Sequence, residues 1–181
     1  MDNLTKQFLD LFARYLLLII APLSNFYIFY AIFTPLTIYP AYYLFSSLFE
    51  TTLVADVITV NGCFSMEIVG ACVGGSAYFL LLIFNLATPG IRILKRISLL
   101  FLSFLAFLVL NILRIFVLGM LFVNGSTYLD VSHKLFWYFG SVFFVTAIWF
   151  LQVKLFKIDA IPFYSDFSSV YKTLKSMKQT K

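Results

Sequence analysis

Charge is scarce in this sequence and missing altogether from long stretches. Only 12% of the 181 residues are Asp, Glu, Lys or Arg, about half the share in a soluble domain. None occurs at 15–49, 68–91, 97–113, 115–129 or 135–153. Uncharged apolar runs of about 18 or more residues are long enough to cross a bilayer, so a soluble domain with one core is excluded. Cysteine occurs twice and histidine once. At most one disulfide can form, and no metal-ligand spacing exists. No metal and no cofactor is expected. Repeats and low-complexity tracts are absent, and no small-residue cleavage site follows the first apolar run, so no cleavable signal peptide is expected. The net charge of +5 sits where membrane topology would put it, not in a patch for nucleic acid. What is present is apolar: 62% of residues are hydrophobic, with a mean hydropathy of +0.97. The expected class is an all-α integral membrane helical bundle, a single domain over 1–181.

Cations in short loops mark the cytoplasmic side. The segment 156–181 reads as a basic cytoplasmic tail. From Lys154 onward it holds Lys157, Lys172, Lys175, Lys178 and Lys181 against Asp159 and Asp166. Arg92, Lys95 and Arg96 place the link before 97 on the same side. Spans are then expected at 71–90, 97–123 and 134–155, and 51–70 lies outside. Lys6 and Arg14 favour an inside N-terminus, with a first span at 15–33. The next apolar piece, 36–50, is short, contains Pro40, and carries Tyr39, Tyr42 and Tyr43. It reads as an interfacial or re-entrant helix. This makes four transmembrane helices; the alternative is five with the N-terminus outside. Residues 53–69 are rich in β-branched side chains around Asn61-Gly62, a hairpin signal, and predict a small extracytoplasmic β-hairpin.

Ionisable groups within lipid are costly and are candidates for function. Arg114 lies deep in the 97–123 span, and Asn111 is one turn before it on the same helix face. A structural role for Arg114, bonding carbonyls or Glu67, competes with a functional one. His133 stands at the outer start of the last span, where Ser132 or Asp130 would cap the helix; a solvated interfacial histidine is the plain alternative. Cys72 begins the 71–90 span in EIVGACVGG. A helix N-terminus favours a thiolate. Gly74 and Gly75 open the backbone to close approach, and nearby N–H groups would serve as oxyanion donors. Packing residue, disulfide partner of Cys63, and nucleophile all remain open for Cys72. By topology, Cys72, Arg114 and His133 fall in one leaflet on three consecutive spans. A thiol, a titratable base and a fixed cation are what acyl transfer through a thioester requires.

The order ACVGG, NILRI, VSHKLFWYF resembles the exosortase/archaeosortase family of membrane cysteine transpeptidases, over about residues 50–155. The archaeosortase-like branch is the nearer likeness. Where many members read Ser-Gly or Thr-Gly after the cysteine, this chain has Val73-Gly74. The resemblance implies catalysis by Cys72 as nucleophile, His133 as general acid and base, and Arg114 at the oxyanion or scissile carbonyl. Asn111, Gly74 and Glu67 would support them, with Asn111 orienting Arg114. Implied substrates are secreted proteins ending in a short motif, a hydrophobic helix and a basic end. Such an enzyme cleaves near the motif and transfers the new C-terminus to an acceptor, here a membrane lipid. The active site would face the extracytoplasmic side of the cell membrane. A non-enzymatic transporter or surface-assembly scaffold is the competing reading, and a family member without activity is a third.

Overall fold

The computed structural model describes residues 3–23 and 26–158. Helices α1 (Asn3–Leu23) and α2 (Tyr27–Ser46) come first. Strands β1 (Thr51–Val54), β2 (Val57–Val60) and β3 (Phe64–Glu67) follow. Then come α3 (Gly70–Val73), α4 (Gly75–Leu86), α5 (Ile93–Val123), α6 (Leu129–Leu135) and α7 (Ser141–Phe156). A π-helical turn, Phe136–Gly140, joins the last two, so the chain is helical without interruption from 129 to 156.

The bundle is built around α5. From Leu99 onward its buried residues step by four: Leu99, Ser103, Phe107, Asn111, Ile115, Gly119. A second ridge, also stepping by four, is exposed: Ile97, Phe101, Leu105, Val109, Leu113, Val117. A helix on a soluble protein turns its apolar stripe inward and its polar face outward. Here hydroxyl and amide face in, and aliphatic side chains face out. Among the described residues, α2 and α5 are long and apolar enough to cross a membrane. The stretch 70–86 and α7 are shorter apolar helices.

Aromatic rings fasten α2 and α4 to α5. Tyr78 is fully buried. Phe33 stacks on its ring at 3.6 Å between centroids, and Phe107 meets it edge-on at 4.9 Å. Contacts at the other end of α2 need a small partner. A Cβ at Gly119 would run into the Phe45 ring and lie 2.9 Å from Met66 Sδ. Overpacking of this kind costs about 1–3 kcal/mol, so Gly119→Ala should lower the unfolding temperature in detergent. An unchanged melting curve would contradict the packing described.

The first half of the chain departs from the sequence reading. No continuous helix covers 15–33. Helix α1 ends at Leu23, one residue after Pro22, and Phe26 is left-handed (φ 58°) just before α2. Nor is 36–50 a separate surface helix. It is largely the second half of α2, which runs helically through Pro35 and Pro40. Proline removes a helical N–H, but Thr37, Ile38, Ala41 and Phe45 are buried around the two prolines, and this packing holds the helix. Arg14 Nη1 donates to Leu86 O at the end of α4, 2.9 Å away. Phe26 lies 5.4 Å from Phe79 midway along α4, and Phe45 lies 5.1 Å from Phe116 near the end of α5. The segment from Arg14 to Phe45 therefore traverses the bundle once, in two pieces.

The expected hairpin over 53–69 is a three-stranded antiparallel meander, β1-β2-β3. Asn61 and Gly62 are both left-handed (φ 52° and 66°) and turn β2 into β3, as read. The additional strand β1 was not legible, because its turn is Ala55-Asp56 with Ala55 at φ 52°, a conformation alanine seldom adopts. Ile58 and Val60 are buried beneath the sheet, and Phe64 packs edge-on against Phe122 of α5. The 71–90 segment is helical to Leu86 but broken at Gly74. The 97–123 helix starts four residues earlier, and the 134–155 helix begins at Leu129. The tail from 159 onward lies outside the described residues.

At the opposite end from the sheet, cations do more than decorate a loop. Arg96 Nη1 donates to the carbonyl of Asn85 at 2.5 Å, and Nη2 to that of Thr88 at 3.0 Å. With Arg14 on Leu86 O, two buried arginines satisfy the carbonyls at the C-terminus of α4, where the helix dipole favours positive charge. Asn85, Ser103 and Gln152 continue this buried network. Asn85 Nδ2 donates to Ser103 Oγ, which in turn donates to Gln152 Oε1.

Candidate active site

The chain leaves β3 through Ile68, whose N–H donates to Asp56 O at 2.8 Å. It then makes a single turn of helix, α3. Gly74 ends that turn in a left-handed conformation (φ 80°, ψ 40°). A side chain there would be strained, and its Cβ would press on the Phe107 ring at 3.1 Å. The break turns the carbonyls of Cys72 and Val73 toward α5. Asn111 Nδ2 donates to both, at 2.8 and 3.1 Å. Arg114 Nη2 donates to Cys72 O at 3.0 Å. Two side chains one turn apart on α5 thus clamp the peptide that carries the thiol. Asn111 is 1% exposed, so its two bonds are made away from water, where an unmade bond is most costly.

Above the clamp lies a cavity of about 410 Å³, within the usual range for ligand pockets. Glu67, Cys72, Arg114 and His133 all line it. They come from β3, α3, α5 and α6. The Arg114 guanidinium meets Cys72 at its backbone carbonyl. Cys72 is half-buried and His133 is exposed on α6. Three candidates read from three distant sequence positions therefore face one space, and Phe136 of the π-turn adds an apolar wall.

Several expectations about the site change. Cys63 and Cys72 are both free thiols, Cys63 exposed in the β2–β3 turn, so no disulfide ties them. The Cys72 N–H donates to Val69 O and the Gly74 N–H to Gly70 O, so these two of the N–H groups near the thiol are already paired. The helix start expected at Cys72 is a single turn of four residues, not the beginning of a span. Gly74 serves the break rather than open access: it is buried. Among the described residues no hydrogen bond joins Asn111 to Arg114; both donate to the same carbonyl. No ion pair joins Glu67 to Arg114 among the described residues, and Glu67 is exposed at the cavity. The α6 N-terminus has no side-chain cap, and Asp130 instead pairs with Lys134 at 2.7 Å.

Sequence reasoning overlooked Asp130 and Phe136 as cavity residues, and Arg96 and Arg14 as buried cations. The stripe Ser103–Phe107–Asn111 was the available signal for Arg96: extended backward past Leu99, it reaches the arginine one turn earlier. No family model, curated protein or solved structure matches this chain.

Proposed function

We propose that the protein is a multi-pass membrane cysteine transpeptidase. It cleaves the C-terminal sorting signal of secreted proteins through a Cys72 thioester and passes the acyl group to an acceptor, a membrane lipid. The observation that carries this reading is the convergence of Cys72, Arg114 and His133 on one cavity beneath the sheet.

The outward aliphatic ridge of α5 and its inward Ser103 and Asn111 suit a lipid surround. In that orientation Arg92, Lys95, Lys154 and Lys157 sit at the cytoplasmic end and the sheet lies outside. Four crossings result: the two-piece α1–α2 segment, α3–α4, α5, and α6–α7. His133 takes the Cys72 proton, and the thiolate attacks the scissile carbonyl. Arg114 stabilises the thiolate and the developing oxyanion from the cavity wall. The C–N bond breaks, and the leaving amine takes its proton from His133. An acceptor hydroxyl, deprotonated by His133, then attacks the thioester and frees the thiol.

Trapping is the direct test. Protein purified from cells should carry a fraction with an acyl adduct on Cys72, found by intact mass and removed by neutral hydroxylamine. His133→Ala should enrich a non-covalent substrate complex and lose the adduct. A Cys72 thiol that stays unmodified in wild-type cells, with substrate present, would count against the thioester. The donation of Arg114 to a backbone carbonyl favours one second reading, a non-enzymatic scaffold or transporter in which Arg114 is purely structural. That reading requires Cys72→Ala to be silent.

A further inference from the structure

Among the described residues, the sheet ends in a strand with one open edge at the mouth of the cavity. Strand order is β1-β2-β3, so β3 is an edge. Its register sets Ile58 opposite Met66 and Val60 opposite Phe64. Ile68 N–H bonds to Asp56 O, which continues the same register by one pair. Hydrogen-bonded and non-bonded pairs alternate in an antiparallel ladder, so residues 64, 66 and 68 exchange bonds with β2. The N–H and C=O of Ser65 and Glu67 therefore point away from the sheet. Ser65 and Glu67 are also cavity residues, and the facing wall is α6, with Asp130 and His133.

Strand β3 descends toward the thiol. Phe64 lies beside Phe122, Met66 beside Gly119, and the Cys72 carbonyl reaches Asn111 and Arg114. Each step moves further down α5. We infer that the protein recognises its substrate as an extended peptide strand added to β3. The outward backbone groups of Ser65 and Glu67 would fix its register and deliver the scissile carbonyl to Cys72. The inference rests on the transpeptidase reading above. A substrate passing from an outer domain into a membrane helix runs in the same sense as β3, so the added strand is parallel. Main-chain bonds then supply affinity, and side chains on alternate residues supply selectivity. An exposed edge beside an active cavity is otherwise a liability for aggregation.

The test uses full-length Cys63→Ser protein in detergent, leaving Cys72 as the thiol read out. The probes are acetyl-hexa-alanyl chloromethyl ketone and six variants, each N-methylated at one residue. Labelling of Cys72 is followed by intact mass. N-methylation at alternate positions should slow labelling about tenfold, the size of one lost hydrogen bond. The intervening positions should change it little. Ser65→Pro should slow the unmethylated probe by a similar factor. The fold should survive that change, because the Ser65 N–H does not face β2. Met66→Pro, which breaks the ladder, is the unfolding control. Rates that do not alternate with position would overturn strand addition while leaving the thiol reading intact. So would a failure of every peptide where iodoacetamide still labels Cys72. If iodoacetamide also fails, the nucleophile and the docking mode fall together.

Discussion

Cys72→Ala is expected to abolish trimming of substrate proteins while leaving the fold nearly untouched. Processing should fall by about a thousandfold or more, as for loss of a nucleophile whose partners act with it as a unit. Stability should change by less than about 1 kcal/mol, because the half-buried thiol makes few demands on packing. The separation follows from the site itself. Cys72 contributes to the fold through its carbonyl, which accepts from Asn111 and Arg114, and alanine keeps that carbonyl. Mass analysis of secreted proteins that end in an apolar helix and basic tail would show the untrimmed form accumulating. Trimming that persists in Cys72→Ala cells with normal protein abundance would remove the thiol from the mechanism.

Asn111→Leu should do the reverse and strike stability first. The change is close in volume but leaves the buried Val73 carbonyl without its donor and the Cys72 carbonyl with one donor fewer. Unmet buried acceptors cost about 1–3 kcal/mol each, so a loss of about 2–4 kcal/mol is expected from the pair. Arg114→Ala is milder for the fold, since Asn111 still holds Cys72 O, but removes the cation beside the thiol. Thermal unfolding in detergent, measured with trimming in cells, separates the two. Asn111→Leu should show the larger drop in melting temperature, and Arg114→Ala the larger loss of processing at normal abundance. The opposite ranking would make Arg114 the structural clamp and Asn111 the functional group.

Much of this was open to a reader of the sequence, for physical reasons that differ by region. Charge-free runs marked the helices, since apolar length and cation placement act locally. Asn61-Gly62 marked its turn because few residue pairs accept two left-handed conformations in succession. Arg114, Asn111 and His133 stood out because polar groups in apolar segments need partners. What failed depended on contacts between distant residues. The break after Pro22 and the continuity of α2 through Pro35 and Pro40 are decided by Phe33, Thr37 and Phe45 packing into the bundle. The third strand hid behind an alanine in a conformation alanine disfavours. The role of Asn111 depends on where Gly74 turns two carbonyls, and no local pattern states that.

The arginines at the far end from the site carry a consequence for anyone re-engineering orientation. Arg14 and Arg96 read as address labels in a hydropathy plot, interchangeable with any other cation near a span. In the folded protein they are rivets, each fixed to the end of α4. Arg92 is exposed, and Lys95 reaches only Phe156 O at the surface, so neither is riveted to α4. Moving Arg14 or Arg96 would leave the carbonyls at the end of α4 bare and loosen the helix that follows the thiol.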